Sequence, residues 1–185
     1  DTIRAARLGY IPADINSDCL DWGIQGEELF IPRGIVIPCF ADNAIWYLKI
    51  RKPVPSTEKK KYLQVKGGKI LSLYLTWSMQ GKDNVFITEG EFDALLLHQH
   101  AADKADVLSL GSACNHLMPR WNTCLSTGKS FWIATDNDDE GKKAAQYWMN
   151  LVAPRGKQLS LPVKDITDYW KQGGDVRQWA ISALA

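Results

Sequence analysis

The sequence has little of what a secreted, zinc-bound or membrane-spanning chain needs. Its four cysteines, Cys19, Cys39, Cys114 and Cys124, show no Cys-x-x-Cys spacing among 185 residues. No zinc site is legible, and a disulfide framework is not expected in a chain of this size. Of only three histidines, His98 and His100 occupy alternate positions and His116 stands alone; each is read as structural or solvated. No apolar run is long enough to span a membrane, and no secretory signal, low-complexity segment or internal repeat is present. The expectation is a cytoplasmic protein. Net charge is nearly absent too, at +1, so any basic surface must come from concentrating charge locally.

What is present is enough length for a buried core, as one domain or two small lobes. Eight tryptophans are a rich supply. Trp132 in an apolar run and Trp148 on a helical pattern are expected in the core, as is Cys39 as a small hydrophobe. Trp46 and Trp77 fit either a core or a nucleic-acid surface.

The most telling stretch is Phe131-Trp132-Ile133-Ala134-Thr135-Asp136-Asn137-Asp138-Asp139-Glu140-Gly141. A β-favouring run breaks into carboxylates, and a helix-like segment, Lys142 to Val152, follows at once. Carboxylates this close repel each other unless a cation or a helix N-terminus offsets them. At a strand end, residues i and i+2 point to the same side, so Asp136 and Asp138 can reach one hard divalent ion together. Asp139 and Glu140 are read instead as favouring the helix start. The letters also imitate half of a calcium EF-hand loop, but a strand precedes them and Tyr147 stands where the bidentate Glu would be.

A second β-rich run, Val85-Phe86-Ile87-Thr88, also ends in acid, at Glu89-Gly90-Glu91-Phe92-Asp93. Phe92 to His98 reads as a helix on a sheet. Gly90 permits a tight turn that leaves Glu89 at the strand's carboxyl end, and Asp93 lies about one helical turn on, facing back. Asp106 to Leu110 is a candidate strand, turned by Gly111-Ser112. Gln158 to Leu161 is a last short strand, leading through Pro162-Val163-Lys164 into Asp165-Ile166-Thr167-Asp168. This alternation predicts an α/β domain with a mostly parallel sheet and helices on both faces. Ligands of such sheets collect outside the carboxyl ends of the strands.

Glu89-Gly90 with Asp93 on the next helix, then Gly111, Asp136-x-Asp138, Gly141 and the late Asp165, together resemble the Toprim domain of bacterial (DnaG-type) primases, topoisomerases and some nucleases. The resemblance covers about Val85 to the C-terminus. Earlier residues resemble the primases in particular. Asp1-Thr2-Ile3-Arg4-Ala5-Ala6-Arg7-Leu8-Gly9-Tyr10 resembles the element that opens their catalytic core. Arg33-Gly34-Ile35-Val36-Ile37-Pro38-Cys39-Phe40 resembles a core strand, Lys49-Ile50-Arg51 a strand end carrying Arg, and Lys61-Tyr62-Leu63 a later basic element. The expected division is a smaller α+β basic lobe over 1–84 and a Toprim domain over 85–185. The family places a helix near Leu71 to Met79, a stretch whose own pattern fits strand or helix equally. The runs Ile35 to Phe40 and Ala44 to Ile50 read as a hairpin turned by Ala41-Asp42-Asn43.

The resemblance implies a DNA primase core that joins ribonucleoside triphosphates into short RNA primers on single-stranded DNA by metal-dependent nucleotidyl transfer. Glu89, Asp136 and Asp138 are the expected catalytic residues. With Asp93 and Asp165 they are also the expected ligands of Mg²⁺, for which Mn²⁺ can substitute. Arg51 and Lys61 match positions that meet nucleic acid or nucleotide, and Lys49, Lys60, Lys66 and Gly111 are assigned with them; the triplet Lys59-Lys60-Lys61 reads equally well as a solvated loop. The chain departs from the family's Asp-Pro-Asp at Asp165-Ile166-Thr167-Asp168, where Thr167 replaces the second acid. It also reads as a monomeric core cut from a longer bacterial, phage or plasmid replication protein, meeting a replicative helicase through a flanking domain. A Toprim nuclease and a non-synthesising module that binds single-stranded DNA or a helicase are the alternatives.

Overall fold

A computed structural model describes residues 2–41, 43–53, 61–68, 72–112 and 115–185. The chain forms two units, Asp1–Ile70 and Leu71–Ala185.

The first unit holds α1 (Thr2–Ala5), β1 (Gly9–Ile11), β2 (Ile15–Asp18), β3 (Glu28–Ile31), β4 (Gly34–Ala41), β5 (Ala44–Arg51) and β6 (Tyr62–Gln64). Its antiparallel sheet runs β1-β4-β5-β6, and β2 pairs with β3 separately. The expected hairpin is β4–β5, paired from Ile35–Arg51 to Ala41–Ala44 with a bulge between Cys39 and Phe40. Asn43 turns it in the left-handed region, at φ 60°, which Asn tolerates better than most residues; Asp42 lies outside the described residues. Burial of Cys19, Leu29, Ile31, Ile50 and Val65 closes a small core. Cys39 is fully buried, as expected.

The second unit continues with β7 (Asn84–Thr88), α2 (Glu91–Ala101), β8 (Asp106–Ser109), β9 (Ser130–Ala134), α3 (Asp139–Val152), β10 (Gly156–Gln158), α4 (Ile166–Lys171) and α5 (Val176–Leu184). All pairings of its sheet, ordered β10-β9-β7-β8, are parallel. Because both faces are covered, nearly all residues of β7, β8 and β9 are buried, with consecutive apolar residues at Val85–Ile87, Val107–Leu108 and Phe131–Ala134. The steps β7→β8 and β9→β10 run in opposite directions from the central pair. Right-handed crossovers therefore place α2 and α3 on opposite faces. Helix α2 packs against α4 and α5, while Trp179 of α5 meets Phe86 of β7 with ring centroids 6.2 Å apart. Trp132 and Trp148 are buried, whereas Trp46 is half-buried and Trp77 exposed against His98. No helix among the described residues is long and apolar enough to cross a membrane.

The helix expected over Leu71 to Met79 is not there. Among its described residues only Thr76–Ser78 forms a 3-10 turn. Tyr74 instead bridges the edge of β8, its N–H donating to the Ser109 carbonyl at 2.7 Å and its carbonyl accepting from Ser109 N–H at 3.3 Å. A backbone paired at a sheet edge cannot also close a helix, and burial of Leu73, Tyr74 and Leu75 fixes the segment there.

Candidate functional site

Strand order reverses direction between β7 and β9, so their carboxyl ends flank the switch point where open α/β sheets bind ligands. Register brings the two ends level, with Thr88 opposite Ala134. Glu89 follows the first and Asp136 the second. Ser109 Oγ donates to the Glu89 carbonyl at 2.8 Å and accepts from Gly111 N–H at 2.9 Å. Gly111, at φ 72°, thus helps fix the backbone of Glu89 from the neighbouring strand.

Asp136 and Asp138 do converge, though not by strand alternation, since β9 ends at Ala134. Asp136 lies in the turn and Asp138 caps α3, its Oδ1 accepting from Gly141 N–H at 3.0 Å. Their carboxylates meet the same ammonium: Lys164 Nζ stands 3.4 Å from Asp136 Oδ2 and 3.7 Å from Asp138 Oδ2. Asp165 caps α4 through Asp168 N–H at 2.6 Å. Asp93 is held by α4, its Oδ1 accepting from both the N–H and the hydroxyl of Thr167, at 2.9 and 2.7 Å. Thr167, which replaces an acid of the family pattern, therefore joins α2 to α4. Asp168 pairs at the surface with Lys171, 3.1 Å away, and Asp139 and Glu140 pair with Lys142 and Lys143 on the exposed first turn of α3.

The acids feel one another. Burial, then the charges of Asp136 and Asp138, push Glu89 up to about 7, against opposing pulls from the Asp136 N–H and Lys164. Burial raises Asp93 to about 6 despite its bonds from Thr167. Asp136 is raised by burial, with Asp165 and Asp138 adding to it and Lys164 opposing. Among the described residues no three His, Cys, Asp or Glu side chains already form a metal cage. The donor set nonetheless suits a hard cation: Glu89 Oε2 is buried without a hydrogen-bond partner, beside like charges whose repulsion a bound cation would relieve.

A pH dependence follows. Glu89 binds its proton more tightly folded than unfolded, so between about 4.5 and about 7 the folded chain holds more protons. Stability should be full below that window and fall as pH rises through it; Asp93 acts in the same direction. In chelator, the thermal midpoint is expected to be several degrees lower at pH 8 than at pH 5, and Glu89→Gln should flatten the slope. An unchanged slope in that variant would remove Glu89 as its source.

In the first unit, Lys49 Nζ and the Arg51 guanidinium lie 4.8 and 6.0 Å from the Tyr62 ring centroid, so a basic pair gathers over one aromatic. Lys61 is exposed beside it. Lys66 departs from this group, its Nζ donating to buried Cys19 Sγ at 3.6 Å. Lys60 lies outside the described residues. Lys164 is the site residue that sequence reasoning missed, although its place directly before Asp165 was a signal.

The second unit is thus an α/β domain with a parallel sheet and an acidic switch point. Residues 86–170 match the family described as Toprim-like. The primase fragment of the bacteriophage T7 primase-helicase superposes over 100% of this chain and 70% of its own, with TM-score 0.69 and 20% identity. The Aquifex aeolicus primase, comprising zinc-binding and RNA polymerase domains, does so over 98% of this chain and 52% of its own, at TM-score 0.70 and 21% identity. A DnaG primase catalytic domain bound to single-stranded DNA covers 97% and 67%, at TM-score 0.68 and 14% identity. No curated protein matches in sequence. At these identities the likeness is one of fold: residues 86–170 are similar to Toprim-like domains, and the chain has the fold of DnaG-type primase catalytic domains.

Proposed function

We propose that this chain is the catalytic core of a DNA primase, making short RNA primers on a single-stranded DNA template. The observation that carries the reading is the orphaned Glu89 Oε2 beside Asp136 and Asp138 at the switch point, in a chain with the primase-core fold from end to end. Glu89, Asp136 and Asp138 would hold Mg²⁺ or Mn²⁺, with Asp165 adding charge from the start of α4. When bound, the ion would neutralise charge developing on the phosphate oxygens. In the reaction, the 3′-hydroxyl of one nucleotide attacks the α-phosphorus of a ribonucleoside triphosphate and pyrophosphate leaves. Glu89 would serve either as a ligand of that ion or as the acceptor of the hydroxyl's proton. Asp93 is a supporting acid, its Oδ1 engaged by Thr167. A flanking domain would supply the contact to a replicative helicase.

Incubation with single-stranded DNA, Mg²⁺ or Mn²⁺ and ribonucleotides tests this, with deoxyribonucleotides in parallel. Short RNA products support a primase. Degradation of the template points to a nuclease, and DNA binding without either product to a non-synthesising module. Arg51 and Lys61 are proposed to meet template or triphosphate phosphates. Arg51→Ala or Lys61→Ala should weaken DNA binding several-fold and flatten the plot of log affinity against log salt by about 0.7 for each lost contact. An unchanged salt slope, measured by fluorescence anisotropy, would take that residue off the phosphate path.

A further inference from the structure

Among the described residues, a cation stands within the acidic site. Lys164 Nζ bridges Asp136 Oδ2 and Asp138 Oδ2, at 3.4 and 3.7 Å. The root of this residue is pinned, because its carbonyl accepts the Asn137 N–H at 2.7 Å, tying the loop before α4 to the turn after β9. Its head meets the carboxylates from the solvent side: the side chain is 52% exposed, against 17% for Asp136. An exposed lysine paired with one carboxylate contributes little. A lysine bridging the two carboxylates suited to one ion is in a different position, since it offsets their mutual repulsion and occupies the oxygens an ion would use.

We propose that Lys164 is a resident counter-cation: its ammonium holds the place between Asp136 and Asp138 when no divalent ion is bound, and the ion enters by displacing it. This rests on the metal reading of the acids given above, and deepens it by naming what controls occupancy. Two effects of opposite sign follow from one charge. Without metal, Lys164 stabilises the crowded turn. With metal, it competes for the same oxygens and raises the concentration at which the site fills. A divalent ion carries twice the charge and prefers carboxylate oxygen, so it wins once abundant enough. The four-carbon stem and water access give the displaced head somewhere to go.

Lys164→Met keeps the stem and removes the charge. Affinity for Mg²⁺ and Mn²⁺ would be measured by calorimetry, and thermal midpoints in chelator and in saturating Mg²⁺. Lys129→Met is the charge-matched control, because Lys129 pairs with exposed Asp83, 2.9 Å away, in the same unit. The expected result is metal binding about fivefold tighter or more in Lys164→Met than in the control, a lower midpoint in chelator, and a larger gain on adding metal. Lys164→Arg should recover the midpoint in chelator. Affinity unchanged or weaker relative to Lys129→Met overturns the inference. If the wild type binds metal and Asp136→Asn abolishes it while Lys164→Met changes nothing, only the counter-cation role is lost. If neither the wild type nor Lys164→Met binds metal at these acids, the metal reading fails and this inference fails with it.

Discussion

Asp136→Asn is expected to lower primer synthesis on the order of a thousandfold while leaving the metal-free protein as stable as the wild type, or more so. The two halves of this expectation come from the same charge. Asp136 stands at the carboxyl end of the central strand pair, 3.4 Å from Lys164 and within the field of Glu89, Asp138 and Asp165. Its carboxyl is raised even with Lys164 beside it, burial being the largest cause. The folded state therefore disfavours this charge, and an isosteric amide relieves it. What the amide cannot do is hold a divalent cation as a carboxylate does. Asparagine is also the right substitution at Asp138, because it keeps a cap for α3, whereas Ala would add about 1 kcal/mol of lost capping to the loss of charge. Primer extension and a chelator-matched thermal scan check the claim. Synthesis at the wild-type rate would break the assignment of Asp136, and lost activity with a collapsed midpoint would mean that the residue holds the fold instead.

The parts of the site legible in the sequence were those that strand ends display. Apolar runs that stop in acid, at Thr88-Glu89 and at Ala134 to Asp138, marked two neighbouring strands of a parallel sheet, because doubly covered strands read as continuous hydrophobic stretches. Convergence of Asp136 and Asp138 was legible as an outcome, but its cause is a turn and a helix cap. Contacts that cross the sequence were not legible. Thr167 reaches Asp93 across 74 positions, and no local pattern announces such a bond. Tyr74 was misread for the same reason: its segment is decided by the edge of β8, a partner absent from the local periodicity. The contact of Lys66 with Cys19, 47 positions away, is of the same kind.

Gly141→Ala should destabilise the protein by about 3 kcal/mol, the reverse of its usual effect. Within a helix, Ala is normally preferred to Gly by about 1 kcal/mol, and Gly141 lies in the first turn of α3. Here the helix starts against the acidic turn. A methyl at this position would overlap the carbonyl oxygen of Asp136 and lie 2.6 Å from its carbonyl carbon. Backbone cannot swing aside as a flexible side chain could. Both polar groups of Gly141 are engaged as well: its N–H donates to Asp138 Oδ1 at 3.0 Å, and its carbonyl accepts from Thr135 Oγ1 at 2.8 Å. Relief must therefore come from pushing the turn that carries Asp136 and Asp138 away from α3. The thermal midpoint should fall by roughly 6–12 °C for a chain of this length, and on the proposed metal reading divalent-ion binding should weaken with it although neither Asp136 nor Asp138 is altered. A stabilised Gly141→Ala variant would mean that α3 does not rest on the Asp136 carbonyl, and the two carboxylates would then lose the support that brings them to one cation.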